Sequence, residues 1–440
     1  MYREPKTGPR CRICTGCGLC PGVMPESVAS GSPDGVPEAS GHGRMHVLTE
    51  DSLSGSNIPF PDSGKRLAVA DIGTTTIAML LYGPDGSKAD RFVEVNPQAA
   101  YGADVLSRIR AAQEPSAASD MRQSVRKVLM KGLKRFRKLL SAGETLYLVA
   151  AANTTMTYLF MGWDTAELGR APFKASKLSG KETELAGIPC FVLPGFSAFV
   201  GGDILAGCCA CGIFHKKEIT LLVDLGTNGE LVLGNRHRRI ACATAAGPAF
   251  EGGVNRGIWG ADMVRFLAVL RREGFLDETG LLAEPYFEKG IRIGNVCVTK
   301  EAVRSIQLAK AAIAAGIEIL LGKYGISYEE VDRVVLAGGF GYYLNPEDAA
   351  EIGLLPRALA DRALPGGNTA LSGALLLGRE LLQADSSRLC TGSFNVCAAD
   401  GDIKESVKEK LEKYRCGTEV VNLAEEPEFN QLYIQRMELK

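Results

Sequence analysis

An apolar run, Leu67-Ala68-Val69-Ala70, ends in Asp71 and turns through Ile72-Gly73-Thr74-Thr75-Thr76 into a second apolar run from Ile77 to Tyr82. Residue types in that order can bind phosphate. Glycine lets the backbone N–H groups of a tight turn approach phosphate oxygens, and threonine hydroxyls add donors. An aspartate at the strand end then faces the metal ion. A single turn of this composition is also what an ordinary type I or II turn looks like. The chain carries a second copy, however: Leu221-Leu222-Val223-Asp224-Leu225-Gly226-Thr227-Asn228-Gly229, leading into another strand from Glu230 to Leu233. Two such hairpins can clamp ATP, with Asp71 and Asp224 steering Mg2+ through water and Gly73, Thr74, Thr75, Gly226, Thr227 and Asn228 on the phosphates. A third element, Val334-Val335-Leu336-Ala337-Gly338-Gly339-Phe340-Gly341, runs a strand into glycines. There the backbone at Gly338, Gly339 and Phe340 can lie flat against adenine and ribose.

A different chemistry stands at the front of the chain. Cys11, Cys14, Cys17 and Cys20 recur every three residues and are followed by Pro21. The run is similar to the C-x2-C-x2-C-x3-C-P pattern of bacterial ferredoxins, with the last gap one residue shorter, and it suits a 4Fe-4S cluster. Four thiolates also suit a Zn2+ site. Cys208, Cys209 and Cys211 follow Gly202-Asp203-Ile204 on an apolar helical stretch, where cysteine serves as a small hydrophobe. The alternative, implied by a resemblance to dehydratase activators in which cysteines of two subunits share a 4Fe-4S cluster, would need Cys208 and Cys211 to reach a dimer axis.

These groups need a scaffold. The chain has 440 residues, 46% of them apolar, enough for two or three domains. Its 50 basic and 51 acidic residues leave a formal net charge of -1, which creates no global field to attract nucleic acid or an anionic membrane. With no basic-then-apolar leader and no stretch approaching the roughly 20 apolar residues of a membrane span, a cytoplasmic protein is expected. Thirteen cysteines then read as cluster ligands and buried thiols rather than disulfides. Residues 23–65 are rich in Gly, Ser and Pro and read as a flexible tether with a reach of about 35 to 40 Å. From Leu67 onward, short β-branched runs alternate with helical ones, the pattern of an α/β body. A helix is expected over Ser124–Leu140, with an apolar stripe of Val125, Val128, Leu129, Leu133, Phe136 and Leu140. Its basic face could dock an acidic protein or simply be solvated. A second helix is expected over Ala302–Leu321, ended by Gly322, and a charged one over Ile403–Tyr414.

The three loops in this order resemble the actin, hexokinase and Hsp70 ATPase superfamily. Longer strings narrow the likeness: Asn96-Pro97-Gln98, Tyr101 to Arg108, Gly202-Asp203-Ile204, Ala245 to Gly252 and Leu344-Asn345-Pro346-Glu347 resemble the reductive activators of corrinoid proteins. The resemblance runs from about Leu67 to the C-terminus. It implies a duplicated ribonuclease H-like body with a hinged nucleotide cleft, and ATP-dependent reduction of cob(II)alamin to cob(I)alamin on a corrinoid protein of a methyltransferase system. The expected division is a cysteine-rich segment at 1–22, the tether at 23–65, ATPase subdomains at 66–215 and 216–385, and a C-terminal extension packed on them at 386–440. Known relatives carry a plant-type 2Fe-2S domain at the N-terminus or ferredoxin-like 4Fe-4S modules elsewhere, so the single compact cysteine run is a departure. Electrons would pass through a cluster on that run, supplied by an upstream ferredoxin or reductase, in an anaerobe's cytoplasm; a homodimer is a further expectation. Asp203 and Glu251 are candidates to orient the attacking water, or else structural hydrogen-bond and capping groups. The rival readings are a small-molecule kinase of the same fold and a nucleotide-regulated scaffold with a zinc knob.

Overall fold

The alternation of short apolar runs with helical ones folds into two six-stranded sheets with helices between and outside them. The computed structural model describes residues 60, 64–226, 228–250, 260–293, 296–389 and 400–440. Cys11, Cys14, Cys17 and Cys20, nearly all of the tether, Thr227 and Glu251 lie outside the described residues.

The first lobe comprises β1 (Lys65–Ile72), β2 (Thr76–Tyr82), β3 (Lys88–Val95), α1 (Val105–Ala111), α2 (Pro115–Arg137), β4 (Thr145–Ala152), α3 (Thr154–Met161), β5 (Lys181–Leu185), β6 (Ile188–Val192) and α4 (Gly202–Cys211). Its sheet order is β3-β2-β1-β4-β6-β5: an antiparallel meander β1–β2–β3, with β4 and β6 parallel to β1. The second lobe begins with β7 (Thr220–Leu225), β8 (Gly229–Gly234), β9 (Arg239–Thr244), α5 (Gly260–Arg272), β10 (Ile291–Ile293), β11 (Val296–Val298) and α6 (Lys300–Tyr324). It continues through β12 (Arg333–Ala337), α7 (Gly338–Gly341), α8 (Pro346–Glu351), α9 (Arg357–Ala360), β13 (Ala363–Gly367), α10 (Thr369–Leu389), α11 (Asp400–Cys416), β14 (Glu419–Val421) and α12 (Phe429–Gln435). Here the order β9-β8-β7-β12-β13 repeats β3-β2-β1-β4-β6 strand for strand, with the same directions. The repeated hairpin therefore marks a repeated sheet.

Strand periodicity explains the layering. Successive side chains on a strand point to opposite faces. On β1, Leu67 and Val69 join one core while Ala68, Ala70 and Ile72 join another beneath α2. On β7 and β12, Leu222, Val335 and Ala337 join the same core as Leu67, while Leu221, Val223, Val334 and Leu336 pack under α5 and α6. The middle layer, built on α4 and α10, is thus shared by both sheets. The two helices approach to backbone contact: a Cβ on Gly373 would come within 1.9 Å of the Ala206 carbonyl oxygen.

Helix α2 buries Val125, Val128, Leu129, Leu133 and Phe136 of the expected stripe but ends at Arg137, leaving Leu140 half-buried beyond it, and each fully buried Leu or Phe side chain contributes about 1.5–3 kcal/mol. It starts at Pro115, nine residues before the expected Ser124, because proline suits a first helical turn even where the following sequence is polar. Helix α6 runs past Gly322, which stays helical, to Gly325, whose φ of 80° supplies the left-handed cap. By length and composition α6 could cross a membrane, contrary to the sequence expectation, but 78% of its apolar window is buried inside the lobe. Beyond α10, α11 packs on α10, β14 extends the second sheet parallel to β9, and α12 packs on α6.

Candidate active site

Asp71 sits at the end of β1, where Gly73 N–H donates to the Thr76 carbonyl at 2.9 Å and closes the turn. Two asparagines from elsewhere hold that turn in shape. Asn96 donates its side-chain amide to the Gly73 carbonyl (2.8 Å) and its backbone N–H to the Thr75 carbonyl (2.9 Å). Asn153 caps α3 by accepting from Met156 N (2.9 Å) and donates through Nδ2 to Thr74 Oγ1 at 3.0 Å. That bond occupies an acceptor lone pair on Thr74 and leaves its O–H to donate toward a phosphate.

In the second lobe the equivalent turn closes through Gly226 N–H to the Asn228 carbonyl at 3.0 Å. Asp224 pairs across β7 and β8 with Glu230, so both carboxylates project from one face of the sheet. The corresponding partner of Asp71 is Ala78, so the jaws differ in charge. Gly338 brings the end of β12 against this hairpin: its φ is 82°, and a Cβ there would lie 2.5 Å from Asp224 Oδ1 and 2.5 Å from the Leu225 carbonyl oxygen. Gly339 faces open space. Phe340 does not: its ring is buried, 9% exposed, and stacks on Phe250 at 4.3 Å with Gly260 packed against both. Since the ring turns away from the cleft, the nucleotide contact expected there is left to the backbone of Phe340. Its side chain supports the floor beneath the glycines, because the stacking energy of two aromatic rings draws it inward.

Four carboxylates share the cleft. Burial pushes Asp71 up to about 6, partly offset by Asn368, whose Nδ2 donates to Asp71 Oδ2 at 2.8 Å. Burial and then the charge of Asp71 push Asp224 up to about 7. Asp203, in the first turn of α4, is pushed up to about 8 by burial and by Asp224 and Asp71. Burial, Asp203 and Asp224 raise Glu230 well above the usual carboxylate range. The charges of Asp71, Asp203 and Asp224 add to burial in raising their neighbours, and a cation among them would favour the ionised form of each. The donor set fits Mg2+, a hard ion that prefers oxygen and keeps several waters. No three His, Cys, Asp or Glu side chains among the described residues are placed to ligate one ion directly.

The cysteines of the body offer no comparable site. Burial pushes the Cys190 and Cys211 thiols up to about 12 and raises Cys208, Cys209 and Cys242 further. Cys208 and Cys211 lie in the shared middle layer, 0% and 1% exposed, so they cannot reach a dimer axis. Sequence reasoning missed Asn153, Asn368 and Glu230. The first two stand at helix N-caps after strands, a readable signal; the third follows from the register of a tight hairpin around Asp224.

The duplicated sheets, the two carboxylate-bearing hairpins and the glycine-ended β12 define a two-lobed ATPase of the actin, hexokinase and Hsp70 type. Within that class, residues 67–217 match the RACo middle region, and residues 218–259 and 254–388 match the C-terminal domain of RACo, the ASKHA domain; the chain belongs to the RACo family. The corrinoid activation enzyme RamQ of Eubacterium limosum is 30% identical over 421 residues, covering 80% of this chain and 70% of the relative. The [Co(II) methylated amine-specific corrinoid protein] reductase of Methanosarcina barkeri is 26% identical over 316 residues, covering 58% and 57%. Among solved structures, a reductive activator for corrinoid, iron-sulfur protein is similar at a TM-score of 0.69 and 27% identity, covering 88% of this chain and 67% of that one.

Proposed function

We propose that this chain is a reductive activator: it hydrolyses ATP in the interlobe cleft and uses the cycle to reduce the cobalt of a corrinoid protein from Co(II) to Co(I), cob(II)alamin to cob(I)alamin. The corrinoid protein in this reading belongs to a methyltransferase system; the name of one relative specifies, for that relative, a methylated amine-specific corrinoid protein. The observation that carries the reading is the group of mutually repelling carboxylates, Asp71, Asp203, Asp224 and Glu230, set between two phosphate-type hairpins on opposite lobes.

In this reading Gly73, Thr74 and Thr75 take the phosphates from one side and Gly226, Thr227 and Asn228 from the other, while Gly338 and Gly339 flank the adenosine. Asp71 and Asp224 would hold hydrated Mg2+, whose charge would offset their repulsion and so favour the closed lobes when ATP is bound. Asp203 or Glu251 orients the attacking water; Asp203 accepts the Ile204 N–H at 2.8 Å and stands among the other carboxylates. Hydrolysis removes the phosphate that both jaws grip and lets them separate. Cobalt reduction is uphill for ordinary donors by about 1.4 kcal/mol for each 59 mV of one-electron deficit, and differential binding of the corrinoid protein by the two cleft states offsets it. A 4Fe-4S cluster on Cys11, Cys14, Cys17 and Cys20 would supply the electron one at a time, refilled by a ferredoxin or reductase in the cytoplasm.

The test is anaerobic. The purified chain is mixed with reductant, MgATP and a methylated-amine-specific corrinoid protein in the Co(II) form, and cobalt is followed by its absorbance and EPR signal. Co(I) appears only with ATP, and iron and sulfide analysis gives about four of each per chain. ATP hydrolysed with cobalt unchanged across a panel of corrinoid proteins would refute the reading, and zinc in place of iron would remove the internal electron path.

A further inference from the structure

An exposed pair of aromatic rings lies on two loops tied to the helix whose N-cap touches the first phosphate hairpin. Phe173 and Phe199 lie with ring centroids 5.4 Å apart, and 37% and 36% of their surfaces remain exposed. Phe173 belongs to a run of consecutive exposed residues, 169–174, and holds φ at 54°, a conformation that a bulky side chain adopts only where its surroundings enforce it. The enforcement can be traced. Just after the run, Ser176 donates its backbone N–H and its hydroxyl to Glu167 Oε1, both at 2.8 Å. The same carboxylate accepts from the buried Tyr158 hydroxyl, which in turn accepts from Lys177 N at 2.9 Å.

The second ring is tied to the same place. Thr154 Oγ1 donates to the Ser197 carbonyl at 2.6 Å, and Ser197 Oγ accepts from the backbone N–H groups of Phe199 (3.3 Å) and Val200 (3.1 Å). Gly201 then seats the loop on α3 so tightly that a Cβ would lie 2.4 Å from Asn153 Cα. Thr154 and Tyr158 belong to α3, and its N-cap, Asn153, donates to Thr74. Both rings are therefore braced to the helix that touches the phosphate-binding threonine.

We propose that the Phe173–Phe199 pair is the docking point for the corrinoid protein and that α3 carries the state of the first phosphate hairpin to it; this rests on the functional reading above. ATP can drive the partner's chemistry only if the partner's affinity differs between nucleotide states, so its contact surface must be mechanically joined to the phosphate site. This pair meets that requirement. Exposed aromatics flanked by the cations Arg170 and Lys174 fit an apolar partner face bordered by carboxylates, the composition of a binding hot spot with a charged rim.

The full-length chain is compared with its Phe173→Glu/Phe199→Glu variant for binding the Co(II) methylated-amine-specific corrinoid protein in MgATP, with unstimulated ATP hydrolysis as the control. Burying two charges in a hot spot weakens binding by about thirtyfold or more, leaves unstimulated hydrolysis unchanged, and abolishes the nucleotide dependence of what binding remains; Phe173→Tyr/Phe199→Tyr retains docking. Wild-type affinity in the Glu variant overturns the proposal while leaving the functional reading intact. A variant that loses self-association but still binds the corrinoid protein assigns the surface to a second copy and overturns it too. A wild-type chain that binds no corrinoid protein overturns both. Should the Glu variant fail to fold, Arg170→Glu/Lys174→Glu reads the same surface, and undiminished docking there is decisive against it.

Discussion

Gly338 offers a quantitative test of how the cleft is assembled, because two separate penalties meet at one hydrogen. Its φ of 82° lies in the left-handed region, where an L side chain costs about 1–2 kcal/mol. A Cβ would also stand 2.5 Å from Asp224 Oδ1 and 2.5 Å from the backbone oxygen of Leu225; the carboxylate can swing aside but the backbone must move, an overpacking cost of about 1–3 kcal/mol. Gly338→Ala should therefore destabilise the second lobe by roughly 2–5 kcal/mol, a fall in melting temperature on the order of 10 °C for a unit of its size. It should also weaken MgATP binding, since Asp224 is displaced. Gly339→Ala is the internal control: no atom lies within 4 Å of its Cβ position and its backbone is unstrained. That variant should melt like the wild type yet lose ATP affinity, because the open space at Gly339 is where adenosine is expected. Thermal melts and calorimetric titration with ATP on the two variants separate the effects. An unshifted melt for Gly338→Ala would refute the packing argument, and wild-type ATP affinity for Gly339→Ala would remove adenosine from this strand end.

The carboxylate cluster predicts a pH dependence. Asp71, Asp224 and Asp203 titrate near 6, 7 and 8 in the folded chain against 3.8 unperturbed, so between about pH 4 and pH 8 the folded state holds more protons than the unfolded one. Stability without Mg2+ should fall as pH rises through that window, and the stabilisation by MgATP should grow; melts at pH 5 and pH 8 with EDTA or with MgATP check this, and a Mg2+-independent profile would count against the ion. Asp224→Asn should raise the melting temperature at pH 8 in EDTA while lowering ATP turnover by about a hundredfold or more, the pattern of a charge kept for binding rather than stability. Asn153→Ala should lose about 1 kcal/mol of helix capping and raise the KM for ATP, measured by steady-state hydrolysis, because Thr74 loses its restraint. In the native protein Cys416, which is exposed, should alkylate well before Cys208, Cys209 and Cys211, as peptide mapping by mass spectrometry would reveal.

What could be read from the chain is what is local. Asp71 and Asp224 were legible because strand, turn and return strand are contiguous, and the stripe on α2 because helical spacing is short-range. The boundary of α6 was misjudged by three residues because a helix tolerates Gly322 where its surroundings are open, and the chain chooses its cap by which glycine can turn back into the fold. The inward turn of Phe340 depends on Phe250, some ninety positions earlier, and no periodicity reports such a contact. Asn153 and Asn368, missed in the sequence, carry a cap signal that local pattern could have supplied; that their second hydrogen bonds reach Thr74 and Asp71 is a matter of tertiary placement.

Helix α10 shows why that placement matters. Its pattern in sequence says only that it is buried; it follows β13 of the second lobe, yet it packs on α4 and on β1 and β4 of the first. Glycines make the crossing possible, Gly373 against the Ala206 backbone and Gly378 against Leu67. The helix thereby delivers Asn368, the residue at its start, to a carboxylate of the opposite lobe. Asn368 accepts from Leu371 N at 2.8 Å, which fixes its amide, and donates to Asp71 at 2.8 Å. A rotation that parts the lobes at this point must stretch a hydrogen bond to a charged group, worth about 1.5–3 kcal/mol. Among the described residues no such bond is seen at Asp224, which faces the like charges of Asp71 and Asp203 on the first lobe and has Glu230 beside it on its own. The lobes are thus tied at one point by an amide and pushed apart at another by like charge, so a cation among the carboxylates would relieve the push while leaving the tie in place.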